Sequence, residues 1–183
     1  MEHVKPGVED LAVAESFIDS IKDIARSNFE EDGVLTPVCF IGAQVNPATG
    51  ESLDVGTIAV ITPQQLGISM ANSSGTQRFT DAIRLISKKS KAIMVVTVME
   101  AWVLKLDKKE DRKSFPKSLE HAPGREECIH IILEHQKLGV KTKMWHALIT
   151  RDEQGRGILA EFNGPTEFDK AEGRFIGFID QPN

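Results

Sequence analysis

Residues 92–106 (AIMVVTVMEAWVLKL) constrain this chain more than any other segment. The run is rich in β-branched residues, apolar at odd and even positions alike, and longer than an ordinary strand. A strand with two apolar faces needs cover on both, so the segment predicts a central strand. Helices on one face and a second subunit on the other would supply that cover. Glu100, set between Met99 and Ala101, interrupts the pattern. An acid inside a strand has to be solvated, paired or shifted in its pKa. Arg84, Arg125 and Lys143 are its candidate partners in the sequence.

The flanking elements follow from periodicity and turn chemistry. Leu11, Ala14, Ile18, Ile21 and Ala25 recur at spacings of three and four, which predicts an amphipathic helix over 8–29. Glu9 and Asp10 suit the positive end of its dipole, and Gly33 lies beyond its other end. Residues 34–42 read as a strand interrupted by Pro37, either an edge or a strand that begins after the proline. Residues 46–50 are turn chemistry, and 55–62 read as the returning strand. A second helix is predicted over 76–90, with Ser73, Ser74 or Thr76 as its cap and Lys88, Lys89 and Lys91 near its carboxyl end. Residues 107–125, charged and holding Pro116, Pro123 and Gly124, read as a long surface loop. A hairpin of 126–136 and 140–150 follows, then short strands over 156–162 and 174–179.

The order is α-β-β-α-β-β-β(-β). Consecutive strands joined by short turns predict an α+β single domain spanning 1–183, with a twisted, mainly antiparallel sheet of five to six strands and both helices on one face. Residues 1–7 and 180–183 are expected to fray.

Composition excludes several function classes. No run of 18 apolar residues occurs, which argues against a membrane span. The amino terminus lacks a basic segment followed by an apolar one, and Cys39 and Cys128 lie far apart, so reduced thiols in a cytoplasm are expected. The net charge of −5 is uneven: −6 over residues 1–36, −2 over 37–83, +6 over 84–117 and −3 over 118–183. The basic stretch raises nucleic-acid contact as an alternative, but it has only Trp102 and Phe115 as interleaved aromatics in an acidic chain, so nucleic acid is not the expected partner. There is no P-loop, dinucleotide fingerprint, nucleophile elbow or metalloprotease helix motif, and no cofactor is expected.

The hairpin carries the sharpest geometric expectation. If Ile129, Ile131 and Leu133 face the core opposite Trp145, Ala147 and Ile149, a turn at Lys137–Gly139 sets His130 opposite His146. Cys128 then meets Leu148, and Glu134 meets Thr142. Two histidines so placed could share a metal, joined by Cys128 or Glu100, or serve with Glu100 in acid–base chemistry. Hydrogen-bonded or interface histidines are the competing reading. Cys128 is a nucleophile only with a base nearby. His121 and His135 are expected on solvent-facing positions.

Three short motifs stand out: Asp32-Gly33-Val34-Leu35-Thr36-Pro37, Glu100-Ala101-Trp102, and Pro123-Gly124-Arg125-Glu126-Glu127. In these the chain, over roughly residues 10–150, resembles a group of small uncharacterised bacterial and phage-borne proteins. The resemblance implies no activity. It directs attention to Glu100, Trp102, Arg125 and Glu126 as structural or interface residues, with a Glu100–Arg125 pair tying the long loop to the central strand. Taken together, the expectation is a non-catalytic, self-associating interaction or regulatory module, a homodimer that engages a further protein partner. A small metal-assisted hydrolase using His130, His146 and Glu100 is the alternative.

Overall fold

The central position predicted for residues 92–106 belongs to β3 (Ala92–Val103). A computed structural model describes residues 10–46, 48–51, 58–103, 123–139, 141–168 and 178–179. Its other elements are α1 (Leu11–Asp32), β1 (Val38–Ala43), β2 (Ile58–Ile61), α2 (Ser73–Lys89), β4 (Glu126–His135), β5 (Thr142–Arg151), β6 (Gly157–Leu159) and β7 (Asn163–Phe168). Within the described residues one antiparallel sheet runs β2-β1-β3-β4-β5-β6, and β7 joins the same free edge of β5 that β6 pairs with farther along. The α+β class and the order of elements are those the sequence predicts.

Local chemistry explains the element ends. The Asp10 carboxylate accepts the Ala12 N–H at the start of α1, and Gly33 closes the helix at φ +71°, where a side chain would be strained. α2 starts earlier than expected because Asn72 caps it: its side-chain oxygen accepts the Gly75 N–H at 2.9 Å, and Ser73 and Ser74 become helical. Gly75 is required there for space, since a Cβ would lie 1.7 Å from the Ser69 carbonyl oxygen. The first strand begins after Pro37 and is not an edge, because β2 and β3 flank it. The hairpin register is the predicted one, with His130 opposite His146, Cys128 opposite Leu148 and Glu134 opposite Thr142.

The helices do not share a face, contrary to expectation. α1 packs with Phe40, Val96, Val98, Ile131 and Trp145, whereas α2 packs with Cys39, Ile41 and Val95. Phe40 pairs with Val96 and Ile41 with Val95, and successive side chains point to opposite faces, so the two helices lie on opposite sides of the sheet. The cause is the two-sided burial of β1 and β3: Ala92 to Val98 is buried without interruption, and each face takes one helix of the same chain. On the α1 side Phe29, Ile18 and Ile21 are fully buried, each stabilising the fold by about 1.5–3 kcal/mol. On the α2 side the buried Glu134 carboxylate accepts the N–H groups of Phe178 (3.0 Å) and Ile179 (3.4 Å), whose side chains complete the α2 cluster.

Two further differences concern the strands. The sequence predicts no strand over 163–168, where NGPTEF holds a proline and three polar residues, yet β7 forms there. It qualifies as a strand by pairing with an edge of β5, where Pro165 need not donate to a ladder on its outer side. Phe178 and Ile179 are not in a strand, and the remainder of the expected 174–179 strand lies outside the described residues. So do 1–7, 180–183, 107–122 and His121.

Candidate functional site

β3, β4 and β5 bring the sequence-predicted residues together in two places on opposite faces. On the α2 face a row crosses three strands. Met99 of β3 is directly opposite His130 of β4, and His130 is directly opposite His146 of β5. Such neighbours have Cβ atoms about 4.5–5.5 Å apart. Met144 lies on the same face, two residues from His146. All four side chains are half-buried. His130 Nε2 is buried with no hydrogen-bond partner. Burial, and secondarily the neighbouring His146, hold the His130 pKa down at about 4, so its imidazole is neutral at neutral pH.

Cys128 shares this face but is not poised for chemistry. Its Sγ lies 3.4 Å from the Ala101 carbonyl oxygen, to which it donates. Burial, reinforced by Glu126 and then Glu127, pushes the thiol up to about 12, so the nucleophilic thiolate is not formed near neutrality. Cys39 is likewise pushed up to about 12, chiefly by burial, and its sulfur lies 3.6 Å from Thr97 Oγ1. Both cysteines are free.

Glu100 does not join the histidines. It is opposite Ile129, on the α1 face, because one step along a strand reverses the side. Its expected pair with Arg125 is also replaced. The Glu100 carboxylate accepts the Leu35 N–H, and burial raises its pKa, opposed by the Leu35 bond and by Arg151 while Glu127 adds to the rise. Arg125 instead lies over the Trp102 ring at 4.3 Å, and Trp102 remains 37% exposed. Arg84 pairs with Asp81, and Lys143 with Glu15 and Glu167.

Glu100, Trp102 and Arg125 therefore meet at the end of the α1 face, past the last turn of α1. Arg151, which no sequence motif marks, completes this end together with Glu127 of the third motif. Arg151 grips the Glu127 carboxylate with Nε and Nη2, both at 2.9 Å, a two-point fork. Glu126, the fourth residue the motifs singled out, falls on the other face by alternation. Beside the fork a polar cleft of about 610 Å³ opens between Glu31, Asp32 and Gly33 of the α1 end and Arg151, Asp152 and Gly157. Its floor is close-packed: a Cβ on Gly157 would lie 2.4 Å from the Phe29 ring. No sequence signal marks the cleft, since its walls are far apart in the chain.

His135, expected in solvent, is 2% exposed, and its Nδ1 accepts the Lys137 N–H at 3.1 Å, capping the turn that closes the hairpin. Among the described residues no three His, Cys, Asp or Glu side chains converge as a metal set, and no helix is long and apolar enough to cross a membrane. Comparison with family models, curated proteins and solved structures gives no match for this chain.

Proposed function

We propose that the protein is a non-catalytic interaction module that self-associates through the β4–β5 half of its α2 face, acting in a bacterial cytoplasm and engaging a further protein partner. One observation carries this reading. Among the described residues the α2 cluster draws its apolar sheet residues from β1, β2 and β3 and none from β4 or β5. Beyond its reach lies an apolar stretch formed by Met99, Ala101, Met144 and Leu148, all half-buried, and by Ile158, 57% exposed. Ile158 joins them because it pairs with Thr150, two residues along β5 from Leu148. Among the described residues no helix packs on this half of the face, and its exposed margin at Ile158 supports pairing with the same patch of a second copy, which twofold symmetry satisfies. The reduced, buried cysteines agree with a reducing compartment.

Native mass spectrometry and sedimentation on the full chain test this. The expected result is a dimer at micromolar concentration, converted to a folded monomer by Leu148→Glu with Ile158→Glu. A wild-type monomer throughout that range overturns the reading.

A further inference from the structure

The row on the α2 face contains two kinds of metal donor. His130 and His146 offer imidazole nitrogens from adjacent strands. Met99 stands directly opposite His130 on its other side, and Met144 is the diagonal neighbour. The donors are thus two nitrogens and two thioether sulfurs from three strands of one rigid sheet, with no carboxylate in the row. Imidazoles on directly opposed residues reach a common ion at the usual nitrogen–metal distance of about 2.0–2.1 Å. Thioethers are soft, weak ligands that discriminate against hard divalent cations and favour monovalent copper. Zinc in a closed structural site takes thiolate and imidazole in a tetrahedron. The nearest thiol, Cys128, is instead engaged with the Ala101 carbonyl.

The geometry points to a soft-metal site in which Met99, His130 and His146, with Met144 on the diagonal, bind one copper(I)-type ion per chain. Burial fits this assignment. His130 Nε2 is enclosed without a hydrogen-bond partner, and a buried polar nitrogen left unpaired costs stability that a bound ion would restore. The surrounding Ala101 and Leu148 make the site apolar, which protects a soft ion from water-borne ligands. All four donors belong to one chain, although Met99 and Met144 also lie in the surface proposed to self-associate.

Titration of metal-free full-length protein with silver(I), a redox-silent soft ion, tests the assignment by native mass spectrometry and calorimetry. One ion per chain is expected, with zinc(II) bound more weakly. Met99→Leu keeps volume and apolarity, so the fold should survive while silver affinity falls at least about tenfold, the least that even an outer-shell partner contributes at a metal site. His146→Gln should abolish binding. No retained silver, zinc preferred over silver, or an affinity unchanged by both substitutions overturns the proposal. Ile158→Glu alone weakens the dimer from outside the donor row and its Ala101 and Leu148 surround, so silver binding measured on that variant keeps a failed dimer and a failed metal site as separate results.

Discussion

The two faces of β3 invite comparison along its length. From Ala92 to Val98 both are sealed, one by α1 and the other by α2. From Met99 onward both open: the α1 face ends in Glu100 and Trp102, the α2 face in Met99 and Ala101. One strand therefore serves as core at one end and as display surface at the other. The open ends differ in chemistry. The α1 end is charged and internally paired through the Arg151–Glu127 fork. The α2 end is apolar and carries one buried imidazole nitrogen, His130 Nε2, without a hydrogen-bond partner. Paired charge needs no further company, whereas apolar surface and an unpaired imidazole do.

Substitutions in the sealed half should have the largest effect. Phe29→Ala and Phe79→Ala remove fully buried rings from the two helical layers, and each should cost about 3–5 kcal/mol in urea unfolding. Near-equal losses would show that both faces are genuine core. A small loss for Phe79→Ala would reduce α2 to a surface attachment. Gly157→Ala comes next, at about 1–3 kcal/mol, because its methyl must displace the buried Phe29 ring.

The open ends should respond to pH in opposite directions. For His130 in metal-free protein the folded pKa, about 4, lies below the ordinary 6.5, so between those values the unfolded chain binds the proton and the folded chain does not. The stability is present above pH 6.5 and is lost as pH falls through about 4, on the order of 3 kcal/mol in all. His130→Gln should flatten that decline in unfolding measured from pH 7 to 4. Glu100 has the reverse sign. Its carboxyl is raised above the ordinary 4.5, so its contribution is full at low pH and fades as pH rises through that value. Glu100→Gln should leave stability higher than wild type at neutral pH, and a loss there would show that the Leu35 bond needs the charge.

The smallest difference concerns the helix ends. α2 closes with Lys88 and Lys89, which suit its dipole, while α1 closes with Glu30, Glu31 and Asp32, which oppose it. Glu31→Lys should raise thermal stability by about 0.3–1 kcal/mol, an effect that fades with added salt.

Much of this was legible in advance because it depends on short-range periodicity. The spacing of Leu11 to Ala25 sets α1, and the parity of the hairpin set His130 against His146 without reference to the rest of the molecule. Parity also could have separated Glu100 from His130, had the β3–β4 register been available. That register depends on a connection whose length does not determine pairing. The Arg125–Trp102 stack and the Arg151–Glu127 fork were hidden for the same reason. The sequence alone places His135 in solvent because a histidine at a strand end looks polar until its nitrogen finds the backbone it caps.

By itself the sequence determined the class, the order of elements, the hairpin register and the need to cover both sides of β3. These follow from alternation, helical period and turn residues, all local in the chain. Only the tertiary structure decided that α1 and α2 take opposite faces, that Met99 rather than Glu100 stands beside the histidines, and that the cleft beside Arg151 exists. Each of these joins segments distant in sequence, and their contact is set by how the sheet is ordered and packed, which no local pattern encodes.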